Sequence, residues 1–124
     1  MLTRELVFVV DDDPSMLKGM KRLLKEHGFN ARPFASGAAL LSDGELHEAF
    51  CVILDIDLNG QSGIELRRKI ANRDCALPVI FITGNDSDAN HSAAIEAGCI
   101  AYLTKPFTAS SLIESVEQAR VAIS

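Results

Sequence analysis

Four runs of apolar residues punctuate the chain: LVFVV at 6–10, CVIL at 51–54, VIFIT at 79–83 and CIAYL at 99–103. None shows the alternation of apolar and polar residues that marks a half-exposed strand. LVFVV has the look of a parallel strand buried on both faces, CVIL reads as a second strong strand, VIFIT as another buried one and CIAYL as a short strand. A weaker strand is expected near FNARPF at 29–34. Between the runs the spacing changes to that of helices. Met16, Leu17, Met20, Leu23 and Leu24 form one stripe, with Gly28 where a helix ends. Ser36 is placed to cap a short helix over GAALLSD. SGIELRRKIANR sets Ile64, Leu66 and Ile70 among basic residues, and SDANHSAAIEAG runs to Gly98. Thr108 is placed to cap a last helix, whose apolar face is Leu112, Ile113, Val116, Ala119 and Ile123.

Strict alternation of strand and helix predicts an α/β fold with right-handed crossovers, a parallel sheet in the middle and helices on both faces. In such open sheets, sites form outside the carboxyl ends of the strands. The residues there are therefore the first candidates for chemistry.

Composition narrows the class without changing this picture. The 124 residues fit one domain, expected over 1–124, and 48% are hydrophobic, which argues against disorder. The net charge of −5 argues against direct nucleic-acid binding. No apolar run approaches the length of a membrane span. The start, MLTRELVFVVDDD, lacks the cleavage region of a signal peptide and reads as a strand, so a cytoplasmic location is expected. Cys51, Cys75 and Cys99 are scattered and form no CxxC pair, so no disulfide framework is expected. His27, His47 and His91 lie too far apart in sequence for a metal-ligand pair.

The strand ends are richer. After Val10 come Asp11, Asp12 and Asp13, and Pro14 suits the first turn of a helix, so Asp13 reads as its cap. Asp11 and Asp12 have no such explanation. Asp55 follows CVIL, Thr83 closes VIFIT before Gly84, and Lys105 and Pro106 follow Thr104. One aspartate after a strand is usually a turn former, one threonine a strand residue, one lysine a solvated charge. Together, three carboxylates in one cleft would repel each other and raise each other's pKa. A hard divalent cation such as Mg²⁺ removes that cost. A lysine and a hydroxyl are then suited to a phosphoryl group, and Asp55 to being its carboxylate nucleophile.

The pieces VVDDDPS, VILDIDLNGQSGIEL, PVIFITG and AYLTKPF, in that order, resemble the receiver domain of two-component response regulators over about residues 4–120. VVDDDPS and the KPF corner most resemble the nitrogen-fixation, FixJ-type regulators. The resemblance implies a flavodoxin-like (βα)5 doubly wound fold in three layers, strand order 2-1-3-4-5. It implies that Asp55 accepts phosphate from a sensor histidine kinase or phosphotransfer protein. Mg²⁺ would be held by Asp12 and Asp55, by Asp11 through water, and by the backbone carbonyl of Asp57. Thr83 and Lys105 would hold the phosphoryl oxygens, and Tyr102 matches the family's aromatic switch position. A cis peptide is implied at Lys105-Pro106. Implied partners are an output domain or protein on the last two helices and last strand, and a phosphorylation-dependent homodimer. Such a chain labels itself and is not a turnover enzyme.

The pattern departs from the family where Leu58 and Asn59 replace a common Met-Pro, and where Ser62 replaces the usual aspartate before Gly63. The loop's shape is what this alters, and Asn59-Gly60 is itself a good turn pair. Two other readings share part of the pattern. DIDLN resembles the opening motif of haloacid-dehalogenase phosphatases, but the acidic pair here precedes the nucleophile and no cap domain fits. A degenerate receiver, acting only as a binding module, would be expected to lack some of the five residues that are all present. Receivers usually precede an effector domain, and the ending VAIS suits either a stand-alone receiver or part of a longer chain.

Overall fold

LVFVV, CVIL and VIFIT become strands with neighbours on both sides, whereas CIAYL supplies an edge strand that has one neighbour and is only half-buried. The computed structural model describes residues 3–43, 45–58, 60–73 and 76–122. Met1, Leu2, Gly44, Asn59, Asp74, Cys75, Ile123 and Ser124 lie outside the described residues. In chain order the elements are β1 (Thr3–Val10), α1 (Pro14–Glu26), β2 (Asn30–Phe34), α2 (Gly37–Asp43) and β3 (Ala49–Asp55). A short pair, β4 (Asp57–Leu58) and β5 (Gln61–Ser62), precedes α3 (Gly63–Ala71). Then come β6 (Val79–Thr83), α4 (Asp88–Glu96), β7 (Ala101–Thr104) and α5 (Ala109–Ala122).

The five long strands are all parallel, in the order β2-β1-β3-β6-β7. With β4 and β5 set aside, this is the expected 2-1-3-4-5 arrangement. Successive residues of the central strands face opposite sides. Phe8, Val10, Val52, Leu54, Val79 and Phe81 pack with Leu40 of α2, Ile64, Leu66 and Ile70 of α3 and Ala94 of α4. Val7, Val9, Cys51, Ile53, Ile80 and Ile82 pack with Met20 and Leu24 of α1 and Leu112, Val116 and Ala119 of α5. The sheet thus separates two cores, giving three layers. Among the described residues, no helix is long and apolar enough to cross a membrane.

The helix ends follow local rules. Asp13 accepts the Ser15 N–H at 2.9 Å with Pro14 opening α1, and α1 closes as Phe29 N–H donates to the Leu24 carbonyl at 2.9 Å. Ser36 accepts the Ala39 N–H at 3.1 Å and Thr108 the Ser111 N–H at 3.1 Å, so both expected caps form.

Two boundaries and one strand pair differ from the sequence reading. β1 begins at Thr3 because Thr3 pairs with Ala49 of β3, outside the apolar run. β7 begins at Ala101, since Cys99 and Ile100 are still leaving the turn after α4. The antiparallel pair β4–β5 was not expected. Its turn contains Gly60 at φ 74°, a conformation that glycine adopts without a Cβ penalty.

Candidate functional site

Register brings the polar strand ends together. Val10 lies opposite Leu54, so Asp11 follows one strand where Asp55 ends the next. Asp55 pairs with Ile82, and Thr83 with Thr104, so Thr83 and Lys105 fall beside the acidic pair. The Lys105–Pro106 peptide is cis, as expected. Lys105 Nζ donates to Asp55 Oδ2 at 2.8 Å and to Asp11 Oδ2 at 3.2 Å. Asp11 is 0% exposed and Asp55 4%.

These carboxylates are buried at the end of apolar strands, where an unpaired charge would cost several kcal/mol. Besides Lys105, backbone N–H groups compensate them. Asp11 Oδ1 accepts the Asp13 N–H and Asp55 Oδ1 the Asp57 N–H, both at 2.9 Å. Each is a carboxylate closing a turn onto the second residue after it. Burial pushes the Asp11 carboxyl above its usual range, and the Asp13 N–H and Lys105 offset only part of that. Burial works to lower Lys105, but hydrogen bonds and charge from Asp55 and Asp11 outweigh it and leave its pKa raised, so it stays an ammonium.

Asp12 is exposed at the mouth of the cleft. One carboxylate oxygen from each of Asp11, Asp12 and Asp55 lies within 4.8 Å of the others. Three hard oxygen donors at this spacing suit a hard divalent cation, which keeps several waters and takes a few carboxylates. Lys105 pairs with two of the three, Asp11 and Asp55.

Thr83 is 0% exposed. Its Oγ1 accepts the Asn85 N–H at 3.0 Å and donates to Asp57 Oδ2 at 3.1 Å. This side-chain bond was not foreseen from the sequence. Its partners are 26 residues apart, and no local pattern announces it. Tyr102 is half-buried, and its hydroxyl donates to Asp86 Oδ1 at 3.0 Å while its ring lies 4.9 Å from that of His91. Desolvation, and then the Asp86 carboxylate, push the phenol up to about 12.

Gly63 was noted in the sequence only as a loop glycine. In the fold it opens α3 and its N–H donates to the Ile56 carbonyl at 2.8 Å. A Cβ there would stand 2.3 Å from the Asp55 backbone oxygen. Gly63 is therefore what lets α3 start directly against the strand end that carries Asp55. Among the described residues Cys51 and Cys99 are unbridged, and the histidines join no acidic or sulfur cluster.

The chain resembles known proteins over most of its length. The chain is 32% identical over 114 residues to "Response regulator protein TmoT" of Ectopseudomonas mendocina, covering 92% of this chain and 52% of that protein. It is also 32% identical over 114 residues to "Nodulation protein W" of Bradyrhizobium diazoefficiens, covering 92% of this chain and 50% of that protein. The chain thus spans about half the length of these curated relatives. The crystal structure of FixJ-N matches with a TM-score of 0.86 at 27% identity, covering 98% of this chain and 96% of that one. The family model described as "Response regulator receiver domain" matches residues 7–117, and the chain belongs to that family.

Proposed function

We propose that Asp55 is the phosphoacceptor of this receiver domain, taking a phosphoryl group from a sensor histidine kinase or phosphotransfer protein in a Mg²⁺-dependent reaction. One observation carries the reading: a single ammonium, Lys105 Nζ, spans two buried carboxylates at adjacent strand ends, with a third carboxylate in reach of a shared cation. A structural ion pair would need one carboxylate. Three carboxylates converging in one cleft suit a divalent cation, and the cation and Lys105 together suit a transferred anion.

A lone pair of the Asp55 carboxylate forms the new O–P bond as the P–N bond of a phosphohistidine breaks, and the histidine nitrogen leaves with that electron pair. Mg²⁺, when bound, neutralises charge on the carboxylates and the transferring oxygens. Asp11, Asp12, Asp55 and the Asp57 carbonyl would hold it. Lys105, already at the Asp55 carboxylate, orients it and would follow a phosphoryl oxygen. Thr83 would donate its hydroxyl to another oxygen. We read residues 1–124 as one receiver unit of this kind, cytoplasmic and without turnover chemistry of its own. The test is the intact mass after incubation with acetyl phosphate. One added phosphoryl group is expected with Mg²⁺ and none with EDTA. Addition that ignores EDTA would remove the metal from the reading, and no addition would leave a binding module. Repeated hydrolysis of an added phosphomonoester would instead point to a phosphatase.

Switching is the second half of the proposal. A charge-assisted hydrogen bond from Thr83 to a phosphoryl oxygen is worth roughly 1.5–3 kcal/mol, enough to move a two-state population about tenfold or more. Drawing Thr83 inward changes its cross-strand neighbourhood, in which Phe81 pairs with Tyr102 and Thr83 with Thr104. The altered surface would be α4, β7 and α5, where an output domain, a partner protein or a second phosphorylated copy would bind. Thr83→Ala is expected to accept the phosphoryl group but to lose most of the NMR shift changes that beryllofluoride induces over residues 84–110. Undiminished shifts in that variant would route the signal elsewhere.

A further inference from the structure

The Thr83 hydroxyl has one proton, and that proton already has a taker. Oγ1 accepts the Asn85 N–H at 3.0 Å, so what it can give is the O–H alone. Two acceptors compete for it: Asp57 Oδ2 at 3.1 Å and the Asn85 carbonyl at 3.3 Å. The carboxylate is nearer and charged, so it makes the stronger bond. Thr83 is fully buried, whereas Asp57 is exposed. The carboxylate can therefore return to water when it loses the proton, but the hydroxyl has no water to turn to.

We propose that the Asp57 carboxylate is a latch on Thr83: it holds the hydroxyl proton in the unmodified protein, and a phosphoryl group on Asp55 must take the proton from it. This rests on the reading of Asp55 as phosphoacceptor. Asp57 thereby sets the threshold of the switch. The stabilisation gained when Thr83 bonds the phosphoryl oxygen is reduced by the bond to Asp57 that breaks. One proton makes at most one strong hydrogen bond, so the Asp57 bond and the phosphoryl bond compete for it.

A rival account is plain repulsion between the Asp57 carboxylate and an incoming anion, with Thr83 uninvolved. Titration with beryllofluoride at saturating Mg²⁺ separates the two. Five chains are compared: wild type, Asp57→Ala, Asp57→Asn, Thr83→Val and the Asp57→Ala/Thr83→Val double variant. The backbone carbonyl of residue 57 is common to all, and Thr83→Val keeps the buried shape while removing the hydroxyl. The latch predicts that Asp57→Ala binds beryllofluoride about threefold to tenfold more tightly than wild type. In the Thr83→Val background the same alanine substitution is expected to change affinity less than about twofold. Asp57→Asn keeps a neutral acceptor and is expected to fall between wild type and alanine, which covers the case of a poorly folded alanine variant. Equal affinities in wild type and folded Asp57 variants would overturn the latch alone. A gain that survives in full beside Thr83→Val would also overturn it, in favour of repulsion. A wild-type protein with no saturable binding that depends on Asp55 would overturn the phosphoacceptor reading and the latch with it.

Discussion

Asp55→Asn is expected to lose all detectable phosphorylation by acetyl phosphate while folding as the wild type does. The amide has the shape of the carboxylate and can still accept the Asp57 N–H that closes the turn. It lacks the anionic oxygen that would attack phosphorus, and the Lys105 ammonium loses one of its two partners, keeping Asp11 at 3.2 Å. Without Mg²⁺ the variant should be as stable as wild type or more so, because one of three crowded carboxylates has become neutral. The two readouts are the intact mass and the urea midpoint. A phosphoryl mass that persists in the variant would put the acceptor at another residue. A large loss of stability would make Asp55 a structural group.

Gly63→Ala should have the largest effect on stability among single-methyl changes near the site. The new Cβ would lie 2.3 Å from the Asp55 oxygen and 3.0 Å from both the Asp55 carbonyl carbon and the Ile56 Cα. All three are backbone atoms, so no side chain can swing away to make room. The start of α3 and the end of β3 must part, straining the 2.8 Å bond from Gly63 to Ile56. Overpacking of this kind costs about 1–3 kcal/mol, and a domain of this size loses several degrees in Tm for it. Because the displaced atoms belong to Asp55, phosphorylation should slow as well. Gly19→Ala in α1, where an added Cβ meets nothing within 4 Å, is the matched control and should be neutral or stabilising. A Gly63→Ala protein with wild-type midpoint and rate would show that the two backbones separate freely.

How far the sequence could be read depended on the range of each interaction. The central strands were plain because a run such as VIFIT, buried on both sides, has no other good use. Caps at Asp13, Ser36 and Thr108 were plain because a cap and its N–H lie two or three residues apart. The candidate site could be assembled because parallel strands in a doubly wound sheet finish on one edge. What escaped was set by register between distant elements. The Thr83–Asp57 and Tyr102–Asp86 bonds join residues 26 and 16 apart, with no local pattern linking them. The closeness of Gly63 to Asp55 depends on how α3 leaves the β4–β5 turn, a pair too short to carry a periodic signal.

The lysine bridge has a further consequence for how the molecule comes into being. Its two bonds span 50 and 94 positions of the chain. During synthesis, both aspartates leave the ribosome well before their counter-ion does. Until β7 and the residues after it have docked, the nascent sheet must hold two carboxylates at its edge against water that would rather solvate them. Contacts of such long range form late, since loop closure must come first. Until they form, the cleft lacks the ammonium that joins Asp11 to Asp55, and the proposed acceptor site is incomplete.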